Sequence, residues 1–157
     1  MFFRTLQAEK MKLHHSPVWL AFLILPILPA VMGTFNYLQN AGILQDEWYS
    51  LWTQHTIFTC YFFLPAIIGV YCSYMCRLEH MNHNWNVVMT APVPVSYFYF
   101  SKLIMASVMV LLTQIWIGVL FVISGKLCGL ISPIPPELPE WLLCGAAGGI
   151  VICALQL

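Results

Sequence analysis

Four long apolar runs free of formal charge constrain this chain more than any other feature. Residues 18–35, 57–75, 103–124 and 141–157 contain no Asp, Glu, Lys or Arg. A hydrocarbon core about 30 Å thick takes roughly 20 helical residues at 1.5 Å each, so each run reads as a membrane-crossing helix, the last one short at about 25 Å. Charged residues make up only 8% of the chain, against roughly a quarter in soluble domains. The expected fold is therefore all-α: a polytopic helix bundle of four apolar spans in one transmembrane domain covering 1–157. Six basic and six acidic residues cancel, so net charge points to no nucleic-acid partner, and the distribution of charge carries the information instead.

Ahead of the first span, Phe2, Leu6 and Leu13 recur at helical spacing beside Arg4, Lys10 and Lys12. This describes a short amphipathic helix over 1–16, lying at the surface of the lipid bilayer. Glu9 falls on the apolar stripe. It is either a rim residue at the interface, the favoured reading, or one buried against a partner. Ser16-Pro17 is a helix start, with serine as cap and proline in the first turn. No small-residue cleavage site follows, so the first span reads as a retained helix rather than a signal peptide.

Pro26 and Pro29 lie inside that span and bend it, which requires neighbouring helices to satisfy the freed backbone. Residues 36–56 read as a polar connection carrying Asp46, Glu47 and the interface aromatics Tyr37, Trp48, Tyr49 and Trp52. The second span contains Pro65 and Gly69. Thr113 and Gln114 sit mid-way along the third, where a glutamine needs a partner. Residues 125–140, with Pro133, Pro135, Pro136 and Pro139, form a stiff turn, and the last run carries Gly145 and Gly149 at close-packing spacing. Gln114, Pro65, Gly145 and Gly149 thus mark either a substrate path or a helix-packing surface. Five cysteines (Cys60, Cys72, Cys76, Cys144 and Cys153) lie in or at the ends of spans, as small packing residues with free thiols.

Arg4, Lys10, Lys12, Arg77 and Lys102 flank the spans on one side and Lys126 alone on the other, which places both termini and the 77–102 connection in the cytoplasm of a multi-pass cell-membrane protein. That connection gathers charge, histidine and amide side chains. Its first half, Glu79–Met89, reads as a short helix with Met81, Trp85, Val88 and Met89 near one face and Glu79, Asn82, His83 and Asn86 on the other. Pro92 and Pro94 then stop it as an extended elbow. Glu79, Asn82, Trp85, Met89 and Pro92 are the candidate partner-docking residues.

Cys72, Cys76, His80 and His83 share one helical face but span about 16 Å along the axis, too far for one zinc ion. There is no glycine-rich phosphate loop with its lysine. The spans hold tyrosines and cysteines as their only ionisable groups, without an acid or histidine deep in the apolar core. Neither catalysis nor a cofactor is expected of this chain.

The segment Leu6-Gln7-Ala8-Glu9-Lys10-Met11-Lys12 before Ser16, and the central Glu79…Asn84-Trp85-Asn86…Met89-Thr90-Ala91-Pro92-Val93…Ser101-Lys102, resemble the membrane permease subunits of type-2 ABC exporters, in the lantibiotic-immunity and bacitracin-resistance-like branch. The resemblance spans nearly the whole chain, through loose motifs. It implies an interfacial N-terminal helix, a cytoplasmic loop between spans two and three docking on a separate ATP-binding subunit, and a second permease subunit, homomeric or heteromeric. It also implies export of amphipathic antimicrobial peptides. Such permeases have six spans, so four runs and an unanchored end at Leu157 read as a truncated form or the front part of a longer one. A non-transporting membrane interaction or sensor subunit is the alternative.

Overall fold

The computed structural model describes residues 1–14, 16–44, 46–81, 86, 90 and 93–157. Every regular element among them is helical: α1 (Phe2–His14), α2 (Val18–Ile24), α3 (Ile27–Asn40), α4 (Glu47–Phe58), a π-helical turn (Thr59–Phe63), α5 (Leu64–His80), α6 (Val95–Leu127) and α7 (Leu138–Gln156). They make up four helical stretches long and apolar enough to cross a membrane, Val18–Asn40, Glu47–His80, Val95–Leu127 and Leu138–Gln156.

The helices outrun the apolar runs that mark them. A stretch of 34 residues is about 50 Å long, so the second span extends past a 30 Å hydrocarbon layer and carries polar residues with it. The polar connection expected over 36–56 accordingly shrinks to residues 41–46. Its polar side chains bond within and between helices: Asn40 Nδ2 donates to the Asn36 carbonyl at 2.8 Å, and Asn36 Nδ2 to Gln54 Oε1. Tyr37 and Trp48, expected as interface aromatics, are buried with Leu51 and Phe121 in a core cluster toward this end of the bundle. A larger cluster built on Leu64, Ile67, Ile68, Tyr71, Met75, Met109 and Val110 fills the other end.

Three prolines are absorbed in different ways. At Pro26 the helix breaks into α2 and α3, and the indole N–H of Trp116 on α6 donates to the Leu23 carbonyl at 3.2 Å. At Pro65 it does not break: the preceding turn widens, and the Leu64 N–H reaches back five residues to the Thr59 carbonyl, accommodating a ring that an ordinary α-turn would crowd. Pro139 falls in the first turn of α7, where no N–H is needed. Gly129, with φ +80°, closes α6: its N–H donates to Lys126 O and that of Leu130 to Gly125 O, a reversal that favours glycine.

Backbone meets backbone closely between α3 and α4. A Cβ on Gly33 would stand 2.9 Å from the Cα of His55, whereas one on Gly148 would meet nothing within 4 Å. Gly33→Ala is expected to destabilise the purified protein by about 1–3 kcal/mol, because the obstacle is backbone and cannot rotate away. Gly148→Ala should be neutral or slightly stabilising through helix propensity. Thermal unfolding in detergent, comparing the two, checks this.

Candidate functional site

Helix α1 turns Glu9 and Leu13 inward, and both are buried. Glu9 is only 3% exposed, so the rim reading is corrected: its carboxylate lies inside the protein. Desolvating an anion there is tolerable only if cations meet it. Lys12, one turn on, places Nζ 2.6 Å from Glu9 Oε1, and Lys102, near the start of the third span, places its Nζ 3.4 Å from Glu9 Oε2. The last turn of α5 adds Glu79, 4% exposed, whose Oε1 lies 2.9 Å from Lys102 Nζ and 3.4 Å from Lys12 Nζ. Lys102 Nζ also donates to the Met75 carbonyl at 3.4 Å.

Two carboxylates and two ammonium groups therefore form a closed, formally neutral quartet joining the N-terminal helix to spans two and three. Burial pulls the Lys12 pKa down, but the bond to Glu9 and the attraction of both carboxylates outweigh it and hold the group above its ordinary value of 10.5. Its contribution to stability is thus complete below pH 10.5 and fades only as pH rises through the higher folded-state value.

Expectation and structure differ at Glu79. It was expected on the polar face of a docking helix; instead it closes α5, Met81 behind it is extended (ψ 142°), and its carboxylate is engaged by two lysines. Asn82, Trp85, Met89 and Pro92 lie outside the described residues. Glu79 and Lys102 stand near the two ends of the 77–102 connection, so the quartet fastens both roots of that segment to α1.

The remaining candidates gather between spans two, three and four. Gly145 and Gly149 on α7 face α6: a Cβ on Gly145 would stand 3.0 Å from the Gln114 amide, and one on Gly149 2.7 Å from Val110 Cγ1. Pro65 sits apart, its carbonyl accepting from Gln156 Nε2 at 3.4 Å. One residue was missed. His55, 1% exposed, lies within the second helical stretch, its Nε2 3.0 Å from Thr34 Oγ1 and its ring against Phe121. The expectation of spans free of histidine fails because the helix begins at Glu47, eight residues ahead of it.

All six cysteines are free, and Cys72 on α5 and Cys153 on α7 are both buried in the larger core cluster. His80 Nδ1 is turned onto the Cys76 carbonyl at 3.0 Å. Among the described residues no three His, Cys, Asp or Glu side chains converge as metal ligands.

Removing one member of a buried pair leaves the other charge uncompensated, at about 3–5 kcal/mol. Lys102→Met and Glu79→Leu are each expected to destabilise on that scale. The double substitution should lose less than the sum, because the remaining Glu9 and Lys12 still neutralise each other. A double-mutant cycle by thermal or denaturant unfolding measures the difference.

A family model described as ABC-2 family transporter protein matches residues 5–157. Neither a curated protein nor a solved structure gives a significant match. The matched segment takes in most of α1, both roots of the 77–102 connection and all four spanning stretches. The chain thus belongs to the ABC-2 transporter family, as a membrane permease subunit whose ATP hydrolysis resides in a separate ATP-binding subunit.

Proposed function

We propose that this permease exports amphipathic antimicrobial peptides from the cell membrane, in the manner of lantibiotic-immunity and bacitracin-resistance exporters, with the 77–102 segment as the cytoplasmic dock for the ATP-binding subunit. The observation that carries the coupling half of this reading is the quartet. A segment held at both roots by buried ion pairs moves together with the ends of spans two and three and with α1, so displacement by a partner becomes a rigid-body shift of the bundle. Glu79 acts in this scheme through Lys102 and Lys12, as a clamp at the base of the dock, while Trp85 is the main contact residue and Asn82, Met89 and Pro92 are further docking residues.

Orientation is supported by Arg4, Lys10, Lys12, Arg77 and Lys102 lying at the quartet end, against Lys126 at the other. The peptide substrate class rests on the family resemblance of the sequence motifs alone. A second permease subunit, identical or related, would supply the opposing half of the pathway, and of the two roles open to Gln114, Pro65, Gly145 and Gly149, substrate path or helix packing, the close approach of Gly145 and Gly149 to α6 supports packing.

Trp85→Ala is expected to weaken capture of the ATP-binding subunit by tenfold or more, as truncation of an interface anchor does, and to reduce peptide resistance, while the protein still reaches the membrane. Unchanged capture and resistance would refute the dock, and failure to co-purify with any ATP-binding protein would favour the sensor-subunit reading. On a cysteine-free background, a cysteine at position 46 or 137 should label from outside and one at 82 should not. The reverse pattern would invert the topology.

A further inference from the structure

A small cavity lies between the second, third and fourth spans, lined by Trp52, His55, Thr56, Thr59, Gln114 and Gly145 among others. About 20 Å³ is open to the centre of a water-sized sphere, which suits one water molecule and excludes a peptide side chain. Two polar side chains at its wall offer hydrogen-bonding capacity. Thr56 Oγ1 is fully buried without a hydrogen-bond partner among the described residues. The Gln114 side chain, on a residue 5% exposed, lines the same space, and a primary amide offers two donors and an acceptor.

The surroundings keep this space from closing. Gly145 leaves room for the Gln114 amide, which a Cβ there would approach to 3.0 Å and push aside by a few tenths of an ångström. Trp52 and Trp141 stack with centroids 5.1 Å apart, forming a rigid wall toward one end. The helix widens into its π turn at Thr59, on the cavity lining. Among the described residues no carboxylate, lysine or arginine lines it, and the Nε2 of His55 is already engaged by Thr34, so the chemistry favours an uncharged hydrogen-bonding ligand over an ion.

We propose that this cavity is a binding site for a single water molecule, which bridges Thr56 Oγ1 and the Gln114 amide and joins span two to span three beside the glycine face of span four. Unpaired, the Thr56 hydroxyl would carry a desolvation penalty with nothing to offset it; a water shared with the Gln114 amide gives it a partner. The bridge also accounts for a glutamine placed well inside the longest apolar run. It is independent of which substrate the transporter moves.

The test separates a bridging water from an orphaned hydroxyl. Thr56→Val keeps the side-chain shape without the hydroxyl, and Gln114→Met keeps its length without the amide. With a shared water, each substitution in the full chain lowers the Tm in lipid nanodiscs, and the double variant falls no further than the larger single one, because both remove the same bridge. A Tm that rises or stays level in Thr56→Val, or losses that add, would overturn the proposal. Radiolytic hydroxyl footprinting of the unsubstituted protein gives a reading that needs no variant: Ile117, buried and lining the cavity, should be oxidised by radicals formed from the bound water. An Ile117 protected to the level of buried residues remote from the cavity, such as Val110, would also overturn it.

Discussion

Burying a carboxylate in a membrane protein is tolerated only where opposite charge arrives with it, and two carboxylates, Glu9 and Glu79, set that condition for one end of this bundle. Lys12 supplies part of the answer locally, from the same helix. Lys102 must come from a residue ninety-three positions away from Glu9, which fixes how α1 lies against α6 and how α5 ends beside both. Beneath the ions, Leu13, Val18, Tyr71, Cys72, Met75, Ala106 and Met109 close the core, so Glu9, Glu79 and Lys102 are buried while the Lys12 side chain reaches the surface.

The opposite end is held by different means. The Trp48 indole donates to the Ser132 carbonyl at 2.9 Å, Ser132 Oγ to Glu47 at 2.5 Å, and Tyr49 OH to Glu137 at 3.0 Å, while Trp52, Phe121 and Trp141 pack as rings. These contacts pin the 128–137 turn onto the start of the second span. One end is thus fastened by desolvated charge, which demands particular partners, and the other by aromatic area and neutral or exposed hydrogen bonds, which tolerate small displacements. A bundle fastened in this way has its more exacting joint at the end from which the 77–102 segment emerges.

Much of this architecture was legible from residues, because each span announces itself by length and absence of charge, and the glycine pair and prolines behave locally. Glu9 was readable too: a carboxylate on the stripe of Leu6 and Leu13 has to be either at a rim or paired inside, and the sequence left both open. What decided it was Lys102, whose distance along the chain no periodicity reports. The burial of His55 and Trp48 was hidden for another reason. Their segment is polar enough to read as a loop, yet Thr34, Asn36, Gln54 and His55 satisfy one another across α3 and α4, so the helices continue. The dock residues Asn82, Trp85, Met89 and Pro92 rest on sequence alone.

A neutral quartet is a poor device for stability alone, since well-packed apolar residues of similar volume would hold the same helices at least as firmly. Its distinguishing property is register. Apolar surfaces slide past one another with shallow changes in energy, whereas displacing Lys102 by a few ångströms from Glu79 and Glu9 exposes unpaired charge to an interior that penalises it steeply. On the proposed reading, the dock is pushed by a partner that hydrolyses ATP. A joint of this kind then resists partial slippage and carries the push into spans two and three as a unit, and for that role the desolvation penalty is the source of the stiffness.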